Sequence, residues 1–98
     1  NITIDEPEAL AEVTSPLTVS GTALAFEGTV DVQLRADGNG EPIFEGSATG
    51  SGGPEPGPYR ETFEFTSPGE TGGALVMLSL SSEDGSTLEA SAMRIFFR

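Results

Sequence analysis

Carboxylates are the side chains of this chain that could support chemistry, and their spacing suggests two kinds of site. The segment Asp37-Gly-Asn-Gly-Glu41 places oxygen ligands at the first, third and fifth positions of a loop, as in the first half of a calcium-binding loop. An EF-hand loop continues with glycine at its sixth position and glutamate at its twelfth, where this chain has Pro42 and Ala48. We therefore interpret the segment as a plain hairpin turn and assign no metal ligands.

Paired acids are the second kind of site, because two carboxyl groups facing each other across a cleft can hydrolyse a glycosidic bond. Glu61 with Glu64 and Glu83 with Asp84 are such pairs in sequence. Closeness in sequence does not set the separation of about 5–9 Å that the reaction needs. The chain has no histidine and no cysteine, which removes the usual general base, thiolate catalysis, disulfides and zinc–thiolate sites. We predict that the protein is not an enzyme and has no catalytic residue, metal or cofactor.

The charge of the chain limits its partners. It has 16 acidic and 4 basic residues, all of the latter arginine, and a formal net charge of −12 at pH 7. We expect no nucleic-acid partner, because phosphate binding needs clustered lysine or arginine. The acids are spread along the chain, so solubility is the preferred explanation, with attraction of a basic partner or cation as the alternative. No apolar run approaches the ~18 residues of a membrane span, so we expect no membrane insertion by this segment.

Short apolar runs between glycines and prolines predict an all-β fold. The predicted strands cover residues 2–4, 17–20, 26–35, 43–48, 59–66, 74–82 and 88–98, and segment 5–13 is interpreted as a loop with at most one helical turn. Short connections predict antiparallel pairing. About seven strands in a single domain, residues 1–98, predict an immunoglobulin-like antiparallel β-sandwich that has no disulfide.

Alternation along the strands predicts which side chains face the core. In strand 26–35, one face carries Val30, Val32 and Leu34. Strand 74–82 is nearly continuous in apolar residues, so that Val76, Leu78 and Leu80 share one face while Leu75 and Met77 need a second cover. We expect Phe63 and Phe65 to point inward. Tyr59 with Phe44 is a possible carbohydrate-stacking platform, although we expect Phe44 in the core.

The last predicted strand carries the candidate interaction surface. Its alternation puts Met93, Ile95 and Phe97 on one face and Arg94, Phe96 and Arg98 on the other. An exposed aromatic side chain between two arginines is typical of binding hot spots. We favour a structural explanation over this candidate surface, in which a terminal bulge turns Phe96 inward or a neighbouring domain covers it.

Sheet edges are a second candidate for binding. The chain has no lysine, the residue that commonly protects exposed edges, so acids, Pro42 and the loop 50–58 must protect them. An unprotected edge invites a partner to add a strand.

Three segments resemble the immunoglobulin-like domain of bacterial spore germination, also called the second type of GerM-associated domain. They are Ile2-Thr-Ile4, Pro16-Leu-Thr-Val-Ser-Gly-Thr-Ala23 and Phe26-Glu-Gly-Thr-Val30. The later segments Phe63-Glu-Phe65, Leu75-Val-Met-Leu78 and Asp84-Gly-Ser86 agree with the resemblance.

The signature residues Gly21, Phe26 and Glu27 are interpreted as structural. Gly21 predicts a bulge or a close approach of two backbones. Phe26 is expected to anchor the core, and Glu27 to satisfy backbone N–H groups or face water rather than to hold a ligand or cation.

The resemblance implies a non-catalytic accessory module of a larger exported bacterial protein, either secreted or anchored as a lipoprotein. Its location is then expected to be extracytoplasmic and its partner an envelope protein or a neighbouring domain. Two alternatives remain open at this point: a cell-wall polysaccharide-binding module and a structural spacer rigidified by calcium.

Overall fold

The computed structural model describes residues 2–25, 28–80, 84 and 86–98. These residues form seven β-strands and no α-helix. The strands are β1 (Glu12–Val13), β2 (Leu17–Ala23), β3 (Thr29–Ala36), β4 (Phe44–Thr49), β5 (Gly57–Phe63), β6 (Thr71–Leu80) and β7 (Thr87–Phe97). The predicted all-β sandwich is confirmed. No helix in the described part of the chain is long and apolar enough to cross a membrane.

The strands form two sheets. The larger has the order β1-β7-β6-β3-β4 and the smaller pairs β2 with β5. All neighbours are antiparallel except β1 and β7, which are parallel. The N-terminal segment extends the smaller sheet, because Ile2 bridges Ala23 and Glu6 bridges Ser20 on the far side of β2.

The core lies between the two sheets. Inward positions alternate along β2, β3 and β6, where the burial pattern changes at every residue of β2 and β3 and from Gly72 onward in β6. The largest fully buried side chains are Val19, Val30, Val32, Leu34, Leu75, Met77 and Ile95. Each such side chain stabilises the fold by roughly 1.5–3 kcal/mol relative to exposure.

The N-terminal prediction was wrong in its details. Residues 2–4 make an isolated bridge rather than a strand, and β1 lies inside segment 5–13, which was predicted as a loop. Pairing with β2 ends at Glu6, whose N–H and carbonyl both bond to Ser20. The chain then crosses to β7, where Glu12 and Val13 pair with Phe96 and Phe97.

Tertiary register decides which face of β6 points to the core. Leu75 pairs with Leu34 and Met77 pairs with Val32 on β3. Leu75 and Met77 therefore lie on the face of β6 that points to the core, and both are fully buried. Val76 and Leu78 are on the outer face of the sheet and half-buried. A continuous apolar run carries no period-two signal, so the sequence does not show which face of β6 points to the core.

Strand boundaries also differ from the prediction. β5 begins at Gly57, inside the predicted loop 50–58, and ends at Phe63, so that residues 64–66 lie beyond it. Within the described residues, β3 begins at Thr29. Phe26 and Glu27 lie outside the described residues.

Candidate interaction surface

The alternation of β7 continues through Phe96 and Phe97 with no terminal bulge, so Arg94 and Phe96 lie on the outer face of the larger sheet, and Arg98 follows the strand directly. The next residue after Phe96 faces the opposite way, since Phe97 is only 3% exposed while Phe96 is 41% exposed. The cross-strand neighbours of Phe96 are Glu12 on β1 and Gly72 on β6. Gly72 has no side chain to cover the ring, which contributes to the exposure of Phe96.

Arg94 is held by a two-point ion pair with Asp37. Its Nη1 and Nη2 donate to the two carboxylate oxygens of Asp37 at 2.8 and 2.9 Å. The hydrogen bonds from Arg94 hold the pKa of Asp37 below its ordinary value, and those to Asp37 raise the pKa of Arg94. A paired geometry of this kind fixes the guanidinium plane as well as its charge.

Gly72 makes space for this ion pair, and no pattern in the sequence indicates that role. A Cβ at Gly72 would lie 2.7 Å from Arg94 Nη2 and 2.8 Å from Asp37 Oδ2. The glycine therefore lets the pair lie flat against β6. Its position beside a charged pair follows from the β6–β7 register and not from any local pattern.

Arg98 is paired as well. Its Nε lies 3.4 Å from Glu12 Oε2, and the Arg98 carbonyl accepts a hydrogen bond from Ser67 Oγ at 2.6 Å. We call the group formed by Arg94, Phe96 and Arg98 with their partners Asp37 and Glu12 the Phe96 surface. It is an exposed aromatic ring flanked by ion pairs rather than by free cations.

Leu10 adds a second exposed apolar side chain beside β7. It is 63% exposed, has a positive φ of 68°, and its N–H donates to the Arg94 carbonyl at 2.7 Å. Sequence reasoning missed Leu10 because it lies in an irregular acidic segment with no strand periodicity.

Gly21 has the structural role that was predicted for a close approach of backbones. A Cβ there would overlap the Thr3 carbonyl oxygen and lie 2.8 Å from the Tyr59 hydroxyl. That hydroxyl donates to the Thr3 carbonyl at 2.6 Å. Burial raises the pKa of Tyr59 to about 12, with a smaller contribution from the charge of Asp5. The glycine thus lets the N-terminal segment dock on β2.

The acidic groups singled out from the sequence are not assembled into a site. Both Asp37 oxygens bond to Arg94, and Asn39 N–H closes a turn on the Ala36 carbonyl at 3.2 Å, with Gly38 at a φ of 84°. Among the residues that the structure describes, no group of three or more acidic side chains could hold a metal ion. Of the two proposed acid pairs, Glu61 and Glu64 are both exposed, and Glu83 lies outside the described residues.

The aromatic platform proposed for Tyr59 and Phe44 does not form. Tyr59 is buried at 3% exposure. Phe44 is half-buried and packs on Phe63 with ring centroids 5.0 Å apart. Tyr59 is therefore part of the core, and Phe44 packs against it.

An open pocket of about 480 Å³ lies away from the Phe96 surface, at the other end of β7. Its lining includes Leu24, Pro54, Ser79, Leu88 and Glu89. Leu88 is 65% exposed, and Glu89 accepts a hydrogen bond from the Ile2 N–H at 3.1 Å.

Comparison with protein families defines the class to which this sandwich belongs. The model of the immunoglobulin-like domain of bacterial spore germination matches residues 1–86, and the chain belongs to this family. No curated protein and no solved structure matches the chain. The match ends just before β7 (Thr87–Phe97), so Arg94, Phe96 and Arg98 lie beyond the matched residues, whereas their partners Asp37 and Glu12 lie within them.

Proposed function

We propose that this domain is a non-catalytic accessory module that acts outside the cytoplasm, where it contacts an envelope protein or a neighbouring folded domain. Membership of the spore-germination immunoglobulin-like family supports the kind of module. The contact itself is proposed to use the Phe96 surface.

The observation that carries this proposal is the exposure of Phe96 between two ion pairs. A large aromatic side chain at 41% exposure can bury its ring against a partner, and aromatic and arginine side chains are enriched in interface cores. The ion pairs of Arg94 with Asp37 and of Arg98 with Glu12 hold the neighbouring charges in place. A partner therefore meets a preorganised and nearly neutral patch on an otherwise acidic molecule.

A protein partner fits this surface better than a polysaccharide. Sugar-binding modules present several exposed rings, whereas the other aromatic side chains in the described part of the chain are buried or packed against the core. One exposed ring with a polar rim is the arrangement of a protein contact. Binding to a wall polysaccharide would show in the test as retention of polysaccharide instead of a protein.

The test is a pull-down from the envelope fraction of the source bacterium with the domain and two variants. In Phe96→Gln the exposed ring is removed. Leu88→Gln is the matched control, because Leu88 is equally an exposed apolar residue of β7 but lies at its other end. We expect one protein to be retained by the parent and by Leu88→Gln and to be lost with Phe96→Gln. Equal retention by all three, or retention of wall polysaccharide instead, contradicts the proposal.

The location is tested separately in intact cells. Protease added after removal of the cell wall should digest the domain while a cytoplasmic marker protein stays whole. Protection of the domain together with the marker contradicts an extracytoplasmic location.

A further inference from the structure

The sandwich has four strand edges that could accept another strand, and three of them are protected. β1 has only two residues, so it offers almost no ladder. The outer edge of β2 is occupied by the N-terminal segment, where Thr3 N–H donates to Thr22 at 2.8 Å and Asp5 N–H donates to Ser20 at 2.7 Å. Short edges and covered edges are two of the ways in which proteins prevent unwanted pairing.

β5 is protected by its sequence. Pro58 has no N–H to donate to an added strand. Glu61 pairs with fully buried Val19 and so has inward parity, yet its side chain is exposed. An inward-pointing charge on an edge strand opposes the addition of another strand, because pairing would bury that charge.

β4 has none of these protections. It is six residues long, ends the order of the larger sheet, and contains neither proline nor an inward-pointing charge. Its inward residues are Phe44, Gly46 and Ala48, and its outward side chains, Glu45, Ser47 and Thr49, are all exposed.

The backbone groups on the free side of β4 can be identified from the ladder. Gly50 N–H donates to the Gly28 carbonyl at 2.7 Å, and hydrogen-bonded pairs alternate along an antiparallel ladder. The pairs of Val30 with Ala48 and Val32 with Gly46 are therefore the bonded ones. Glu45, Ser47 and Thr49 direct their N–H and C=O groups away from β3. We call this row of backbone groups the β4 edge.

The two faces beside the β4 edge select for different side chains. On the inner face, the half-buried rings of Phe44 and Phe63 lie over Gly46. A Cβ at position 46 would lie 3.0 Å from atoms of both rings. The outer face carries Glu45, with Asp31 opposite Ser47 on β3. The ion pairs between described residues join Arg60 to Glu6, Arg94 to Asp37 and Arg98 to Glu12, and none of them includes Glu45 or Asp31. Arg35, on the same face of β3, donates to the Gln33 side chain at 3.0 Å.

We propose that the β4 edge accepts an extended segment of a partner protein as an added strand, with lysine or arginine alternating with apolar residues. The basic side chains then lie over Glu45, and the apolar ones lie against Phe44 and Phe63. Backbone hydrogen bonds supply the affinity, and the alternation supplies the specificity. This goes beyond the proposed function, because the site is at the opposite edge of the sheet from the Phe96 surface.

The experiment uses a peptide of about eight residues, blocked at both ends and alternating arginine and valine, long enough to span the six residues of β4. A peptide of the same composition with its arginines and valines in separate blocks controls for simple charge attraction. Binding is measured by calorimetry, and hydrogen exchange of the amides of Glu45, Ser47 and Thr49 is followed with and without peptide.

Ser47→Pro is the decisive variant, with Ser47→Ala as its matched control. The Ser47 N–H points away from β3, so proline removes it without breaking the sheet and places its ring in the path of an added strand. We expect the alternating peptide to bind Ser47→Pro at least about tenfold more weakly than Ser47→Ala. The three amides should become protected in the parent when the peptide is present.

A second variant keeps the test valid if Ser47→Pro does not fold. Glu45→Lys changes only an exposed side chain and should weaken the alternating peptide several-fold while leaving the melting temperature near that of the parent. Equal binding of alternating and block peptides, unchanged binding by these variants, or no protection of the three amides would overturn the proposal. Loss of the envelope partner with Phe96→Gln would leave this result unaffected, so the two proposals fail separately.

Discussion

The two edges of the larger sheet present different kinds of surface. At the β1–β7 edge, backbone groups are covered and the exposed groups are side chains: Phe96, Leu10 and two ion pairs. At the β4 edge, the outward side chains are small or acidic and the backbone itself is available. The difference shows how an acidic chain with four arginines distributes them. Two of the four flank Phe96, and no ion pair between described residues includes Glu45 or Asp31 beside β4.

The largest expected difference in stability is within β7, where Phe96 and Phe97 are adjacent in sequence but on opposite faces. Phe97→Ala removes a ring that packs edge-on against Phe65 with centroids 5.9 Å apart, and we expect a loss of about 3–5 kcal/mol of unfolding free energy. Phe96→Ala should cost no more than about 1 kcal/mol. Urea denaturation measures both. Comparable losses would mean that Phe96 is a packing residue rather than a contact residue.

Hydrogen exchange compares the two edges directly. The Phe96 N–H donates to the Ala11 carbonyl at 2.9 Å, whereas the Ser47 N–H points away from β3. We expect the Ser47 amide to exchange at least about a hundredfold faster than the Phe96 amide, and faster than Gly46 and Ala48 on the same strand. Slow exchange at Ser47 would mean that the β4 edge is already covered.

The pH dependence of stability that Tyr59 causes tests the contact that holds the N-terminal segment on the outer edge of β2. Its pKa is raised to about 12 by burial and by the nearby Asp5 charge, so the unfolded chain loses this proton first. The contribution of the protonated Tyr59 hydroxyl to the free energy of unfolding is fully present below a pH of about 10. It is lost as the pH rises through 12, and the total loss is on the order of 2 kcal/mol. Thermal melts between pH 8 and 12 should show the decline in the parent.

Tyr59→Phe is the control for that decline. This variant lacks the phenol, so its stability should fall less steeply over the same pH range, and it should be about 1 kcal/mol less stable near neutrality because the hydrogen bond to Thr3 is missing. Identical pH profiles for the two proteins would assign the decline to other groups.

Asp37→Asn should have a small effect on stability. The hydrogen bonds from Arg94 hold the pKa of Asp37 below its ordinary value, so the stabilising contribution is present above the unfolded pKa and is lost as the pH falls through the folded pKa. Both side chains are half-exposed, and pairs of this kind contribute little. We expect a melting temperature within a few degrees of the parent at pH 7, with a smaller acid dependence. A large loss would give the ion pair a structural role beyond orienting Arg94.

Calcium should have the smallest effect, because both carboxylate oxygens of Asp37 bond to Arg94. Melting temperatures with calcium and with EDTA should coincide. A clear rise with calcium would support the structural-spacer alternative and would mean that a cation displaces the guanidinium.

Much of the sandwich could be predicted because its signals are local. The alternation of Val30, Val32 and Leu34 and that of Met93, Ile95 and Phe97 follow from the period of two in a strand. The crossing of the N-terminal segment from β2 to β7 could not, because it depends on a parallel pairing of residues more than eighty positions apart. Gly72 was missed because its role depends on the register of β6 and β7, and Leu10 was missed because the irregular segment around it has no strand periodicity.

Composition and strand periodicity are enough to establish that the chain is an acidic all-β domain without the side chains of thiol and imidazole chemistry, and they predict that Phe96 and Phe97 face opposite ways. Those properties depend on composition and on neighbouring residues along one strand. The folded arrangement of the strands is needed to establish that Arg94 meets Asp37, that Gly21 lies beneath Thr3 and Tyr59, and that β4 is the unprotected edge. These depend on strand order and register, which are set by the burial of distant apolar residues against one another and have no representation in any short stretch of sequence.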